Sequence, residues 1–257
     1  MLRIYQYTIK LLIIIQMLFA MKVSSAQINT DRNDSLIFQY KILVNGTFDK
    51  SLVNRLIFNT QNSFIIRNKW LSFEPILNYR FGYVQPLNRP KTDLENDAFI
   101  LFKTHILYQN KIFQSVLLGY ENSPHIRHLE NRIFTGLGVG SYLLNSKKHF
   151  LQLMLYGIYE KSDFDIINYQ LFRIMPFVKG NHFFEKQHFG INYTLQPFIG
   201  INKKANHRFR STIKTYFKLS PKLDFSIFYD WWYENIVSGQ QPKEISVVLF
   251  GFSYSNF

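Results

Sequence analysis

No cysteine occurs in the 257 residues. That excludes a disulfide framework, thiolate metal sites, thiol redox chemistry and an acylated N-terminal cysteine anchor. Beyond the first 26 residues, no segment approaches the ~18 consecutive apolar residues of a membrane helix. Acid is scarce as well. Asp and Glu number 17 against 30 Lys and Arg, and the formal net charge is +13. Yet no Lys/Arg-rich block of about 5–8 residues exists, which argues against nucleic-acid binding. What the chain has in quantity is aromatic side chains. They make up 18% of it, with 26 Phe and 16 Tyr, and such residues favour strands and membrane interfaces.

Residues 1–26 read as a secretory signal peptide. Arg3 and Lys10 supply positive charge, residues 11–21 form a short apolar core, and Ser24-Ser25-Ala26 offers small residues for cleavage before Gln27. The apolar run is several residues too short for a membrane anchor. Removing Arg3, Lys10 and Lys22 takes the net charge from +13 to +10. These cations are scattered at strand ends and on alternate strand positions. A wet lumen and a phosphate-rich membrane rim would suit them.

From residue 36 onward the pattern is alternation. The clearest case is 130–164, two runs joined by a polar turn. Ile133, Thr135, Leu137, Val139 and Leu143 share one parity; Arg132, Phe134, Gly136, Gly138, Gly140 and Tyr142 share the other. Residues at i, i+2 and i+4 line one face of a strand, so this is a hairpin with a continuous oily face. The same parity split recurs. Leu36, Phe38, Tyr40, Ile42, Val44 and Phe48 oppose Gln39, Lys41, Asn45 and Thr47. Leu223, Phe225, Ile227, Tyr229, Trp231 and Tyr233 oppose Asp224, Ser226, Asp230 and Glu234. The run over 71–83 contains Pro75, which cannot donate to a ladder. About twelve such segments appear, most of them about 10–14 residues long. A membrane-crossing strand needs about 9–11 and a soluble strand about 5–6. The expected fold is all-β: a closed antiparallel transmembrane β-barrel of about twelve strands over 27–257.

The connections agree. Even-stranded barrels alternate short periplasmic turns with longer outside loops. The outside loops are expected at 49–51, 84–97, 121–129, 161–165, 200–207 and 234–243, and short turns near 68–69, 109–111, 145–148 and 220–222. The link 49–51 is short for an outside loop, the link 179–187 is long for a turn, and the strand over 166–178 has ambiguous parity. Tyr83, Tyr108, Tyr120, Tyr159, Trp231 and Tyr233 gather near segment ends, as interfacial girdles do.

The spacing Arg132-x3-Gly136-x-Gly138-x-Gly140-x-Tyr142, followed by a turn, a second strand and Tyr159-Glu160-x2-Asp163-Phe164, resembles the DUF481 family. That family in turn resembles a salt-induced outer-membrane protein family. The match covers about 35 residues of this chain. The resemblance implies an outer-membrane barrel of unassigned activity, and no catalytic residue comes with it. The terminal Phe257 resembles the signal read by barrel-insertion machinery, so that machinery and outer-membrane lipid are the expected partners. The three glycines on one face leave room for a neighbouring aromatic ring or a bend, a packing role favoured over a ligand site.

Candidate chemistry is sparse. No His-x-Ser-Asn-Gly-like run of the outer-membrane phospholipases is present, so no enzyme activity, cofactor or metal is expected. A lipid-modifying enzyme stands as the alternative. His125 and His128, with Glu121 and Glu130, read as a solvated loop in preference to a metal site. The informative set is the charged residues on the polar parity. Arg55, Arg67, Arg80, Lys103, Arg132, Arg208, Arg210, Lys214 and Lys218 stand against Glu74, Glu160, Asp224, Asp230 and Glu234. At membrane depth such groups must face the lumen or a partner. They imply a salt-bridged plug or narrow passive pore, structural or stress-related in role, with a small anion-preferring channel as the sharper alternative.

Overall fold

A computed structural model describes residues 36–50, 53–86, 90–146, 148–184, 188–201, 206–235 and 243–256. The expected signal peptide over 1–26 and the terminal Phe257 lie outside the described residues. Among the described residues there are twelve strands and no helix. They are β1 (Ile37–Lys50), β2 (Val53–Arg67), β3 (Leu71–Pro86), β4 (Thr92–Ile106), β5 (Ile112–Ser123), β6 (Leu129–Asn145), β7 (His149–Phe164), β8 (Asn168–Phe184), β9 (Phe189–Gly200), β10 (Arg208–Lys218), β11 (Leu223–Glu234) and β12 (Glu244–Ser255). Each pairs antiparallel with its sequence neighbours, and β1 pairs with β12 through registers such as Val44↔Phe252. The sheet is therefore closed and has no free edge, the arrangement that satisfies every strand in lipid.

The alternation has one cause along its whole length: the two faces meet different surroundings. In β6, Arg132 is 0% exposed while the next residue, Ile133, is 51% exposed. The outward parity carries Leu118, Leu137, Val139, Leu155, Phe172, Val248 and Phe250, all exposed. Outward aromatics concentrate at the two rims. Near the end that carries Leu36 and Asn256, ring pairs run Phe38–Phe64, Tyr40–Tyr254, Phe73–Phe102, Phe184–Phe189, Phe189–Phe217 and Phe225–Phe252. Toward the other end lie Phe81–Tyr83, Tyr159–Phe172 and Phe209–Trp231. Of the expected girdle residues, Tyr108 departs from this pattern; it sits in the β4–β5 turn.

Strand lengths correct the expectation upward. β10 has 11 residues, while β6 and β8 have 17 each. The extra length comes from polar residues that read as loop and are in fact inward-facing. Glu95 and Asp97 lie on β4 and Glu121 on β5, instead of in the links expected over 84–97 and 121–129. β8 continues through Lys179 and Asn181 to Phe184, so the link expected over 179–187 shrinks to 185–188. Its parity resolves too: Leu171, Arg173, Met175 and Phe177 point inward. Pro75 does interrupt its ladder. The β2–β3 register lacks partners between Ser63↔Ile76 and Ile66↔Phe73, as the missing N–H requires.

Inside, glycine makes room for rings. A Cβ on Gly119 would sit 2.1 Å from the Phe134 ring, and one on Gly140 would sit 2.4 Å from Phe113. Those rings belong to a broad apolar belt made of two separate clusters, one on each wall of the lumen. One wall holds Leu101, Phe113, Leu117, Phe134, Tyr156 and Phe177; the facing wall holds Leu43, Ile57, Phe228, Val247 and Leu249.

Candidate functional site: a closed lumen in three layers

The apolar belt separates two charged layers. Parity and register set both, because every second residue of each strand faces the lumen and neighbouring strands keep those residues level. The layer toward the longer loops is built from arginine. Arg132 on β6 is its centre: Nη2 lies 2.6 Å from Glu234 Oε1, Nη1 lies 2.9 Å from Glu121 Oε2, and Nε lies 3.4 Å from Glu160 Oε1. Glu160 also receives Arg173 Nη2 at 3.0 Å and Arg208 Nη2 at 3.0 Å. These contacts cross the lumen: Arg132 is on β6 and Glu234 on β11, five strands apart in a ring of twelve. Hydroxyls and amides complete the set. The Tyr169 O–H donates to Glu234 Oε1 at 2.8 Å, Asn206 Nδ2 donates to the same oxygen at 2.7 Å, and the Arg173 guanidinium donates to the Asn206 carbonyl.

A second cluster adjoins it. Arg80 Nη2 lies 2.7 Å from Asp230 Oδ2, Arg80 Nε 3.5 Å from Glu95, and Arg210 Nε 3.3 Å from Asp230 Oδ1. Over the pair lies Arg127, carried by the β5–β6 link. Its Nη2 is 2.7 Å from Glu121 Oε1, and its guanidinium sits 4.3 Å from the centre of the Trp232 ring. Planar guanidinium groups can address several carboxylates at once and stack on rings, which an ammonium cannot do. The layer is close to neutral, since Arg80, Arg127, Arg132, Arg173, Arg208 and Arg210 face Glu95, Asp97, Glu121, Glu160, Asp230 and Glu234.

The layer toward the termini uses lysine. Glu74 receives Lys103 Nζ at 2.9 Å and Lys179 Nζ at 3.5 Å, with His105 Nε2 at 3.8 Å. Lys214 Nζ donates to Ser253 Oγ at 2.7 Å, and that hydroxyl donates to Asp224 at 3.3 Å. Lys41 and Lys218 share the inward parity.

The residues expected to line the lumen thus separate into groups. Arg80, Arg132, Glu160, Arg208, Arg210, Asp230 and Glu234 meet in the arginine layer. Glu74, Lys103, Lys214, Lys218 and Asp224 fall in the lysine layer, together with Arg67 at the rim of β2. Arg55 stands at the opposite, loop-side rim, exposed to solvent. Sequence reasoning missed Glu95, Asp97, Glu121, Arg127, Arg173, Lys179 and Asn206 as lumen groups. The first three were hidden by an assumed loop, and Arg173 by an unresolved parity. The expected loop pair also separates: His128 bonds Asp165 across the barrel's rim, while His125 is exposed. Among the described residues no group of three or more His, Asp or Glu is placed to hold a metal ion.

A cavity of about 20 Å³ lies among Leu117, Phe134, Tyr156, Phe198 and Arg208, and another of about 50 Å³ lies under Arg127 and Asp230. Each suffices for one or a few waters.

A closed antiparallel sheet with an oily, aromatic-rimmed exterior and an ion-paired interior is a transmembrane β-barrel. No family model matches the sequence, and no curated protein matches it either. Solved structures similar to it include the COG4313 outer membrane channel from Pseudomonas putida F1, at 12% identity and TM-score 0.49, covering 90% of this chain and 98% of that one. The KdgM porin is similar at 9% identity and TM-score 0.45, covering 85% and 99%. An anion-selective porin from Comamonas acidovorans is similar at 8% identity and TM-score 0.41, covering 87% and 100%.

Proposed function

We propose that this chain is an outer-membrane barrel of a Gram-negative envelope, shut at rest. It serves as a structural, stress-related element or a narrow passive pore and not as an open diffusion porin. The observation that carries this is the Arg132–Glu234 contact at 2.6 Å, a buried ion pair that spans the lumen. An interior filled by its own side chains is what a barrel of modest strand number builds when it is not a wide channel. The even strand count, the short turns at the end bearing Leu36 and Asn256, and the two longest links, 201–207 and 235–243, at the opposite end support an orientation with the former end in the periplasm. Outer-membrane lipid is then the partner of the exposed exterior, and the barrel-assembly machinery is the partner during insertion. Membership of the DUF481 family is proposed on the residues over 132–164 alone. The reading gives the chain no catalytic step, because the buried carboxylates and guanidiniums are committed to one another.

Liposome swelling tests it. Purified chain reconstituted in vesicles should admit a small neutral sugar no faster than protein-free vesicles do; swelling at porin-like rates would contradict the closed lumen. In the same preparation, hydrolysis of any of several phospholipids would favour the enzyme alternative instead.

A further inference from the structure

Arginine and lysine divide the lumen between them, and the division leaves the two layers unequally neutralised. In the arginine layer every cation named above has a carboxylate within ion-pair distance. In the lysine layer Glu74 takes Lys103 and Lys179, and three ammonium groups remain: Lys41, Lys214 and Lys218. Among the described residues none of the three has a carboxylate within 4.0 Å. Asp224 stands opposite Lys218 in the β10–β11 register and meets Lys214 through the Ser253 hydroxyl. Lys214 is 7% exposed, and Lys41 faces the same Tyr216 ring across the lumen. Both ammonium groups sit 5.7 Å from the centre of the same Tyr216 ring. Lys218 stands 4.8 Å from the Phe183 ring, and Phe183 in turn stacks on Tyr216 at 6.3 Å.

Like charges side by side in a partly dry wall repel, and of the carboxylates named above only Asp224 is left to offset the three amines. A polyvalent oxyanion would offset the excess. Lys214 spends one donor on Ser253 and Lys41 spends none on a carboxylate, so several N–H groups from two strands converge on one point of the lumen. Lysine binds phosphate as a point charge and does not need the planar match that guanidinium makes with carboxylate. The Tyr216 ring lies beside Lys41 and Lys214, and the Phe183 ring beside Lys218.

We propose that Lys41 and Lys214, with Lys218 at the mouth, form a binding site for a small phosphate-class dianion entering from the end of the barrel that carries the termini. The site deepens the barrel reading above but does not depend on whether the lumen conducts, because the lysine layer lies on one side of the apolar belt and can fill without passage across it.

The test is calorimetric titration of the detergent-solubilised full chain with inorganic phosphate against a chloride background. The expected result is one saturable site per chain. The paired change Lys41→Met and Lys214→Met should weaken it at least about tenfold, the loss of a charge-assisted hydrogen bond or more. Lys161→Met, an exposed residue at the opposite rim whose Nζ lies 3.7 Å from Asp163, should leave it unchanged. Heat-modifiable gel mobility checks that each variant is a folded barrel. Lys41→Arg should keep most of the binding. Unsaturable heats in the wild-type chain, or wild-type affinity in the folded double variant, would overturn the site. Neither outcome bears on the closed lumen, which the swelling assay measures separately.

Discussion

Among single residues, Arg132 is the group on which the most others depend. It touches Glu121, Glu160 and Glu234, and it is wholly buried. Arg132→Met should destabilise the barrel by about 3–5 kcal/mol, because the carboxylates stay behind in a poorly solvated place. Denaturant unfolding in lipid vesicles would read it. Arg132→Lys should not rescue the loss, since one ammonium cannot reach three carboxylates on three strands. Gly119 gives a purely steric counterpart. Gly119→Val should cost about 1–3 kcal/mol by displacing the Phe134 ring, whereas Gly157→Ala, with nothing within 4 Å of the added carbon, should be close to neutral. At this scale the sequence was partly readable. Arg132 and Glu160 could be picked out because each sits among apolar neighbours of opposite parity. Which carboxylate each arginine meets could not, because the partners lie on strands far apart in the chain.

At the scale of elements, β6 shows what the alternation encodes and what it hides. Its outward residues answer to lipid depth. Leu137, at the middle of β6 and 71% exposed, faces outward. Leu137→Arg should cost about 2–4 kcal/mol of folding stability in a bilayer, and Leu144→Arg, near the rim, about 0–1 kcal/mol. Equal penalties at the two positions would mean that no apolar slab surrounds the strand. The existence and parity of most strands were legible from this period alone. Their ends were not. Glu95, Asp97, Glu121, Lys179 and Asn181 are polar runs next to loops, and composition treats such runs as loop. Only the closed lumen explains why a strand continues through them: these side chains have partners inside, Lys179 with Glu74 and Glu121 with Arg127, Arg132 and Arg208.

For the whole molecule, the twelve-strand closure and the two solvents were legible because length and parity agree over the entire chain. The layering of the lumen was not, because it needs the register between strands, and no single strand shows it. The layers assign different work to the two ends. The arginine layer closes the barrel on the loop side, with Arg127 stacked on Trp232 as its outermost piece. Trp232→Ala should loosen that piece and produce brief openings, where the wild type shows none. Side chains packed across the lumen, the Arg132–Glu234 ion pair first among them, keep it shut. Planar-bilayer recording of the wild type beside the double variant Arg132→Ser and Glu234→Ser tests this most directly. The expected result is a silent wild type and a variant with resolvable steady conductance; an equally silent folded variant, or an open wild type, would show that the pair does not hold the lumen closed.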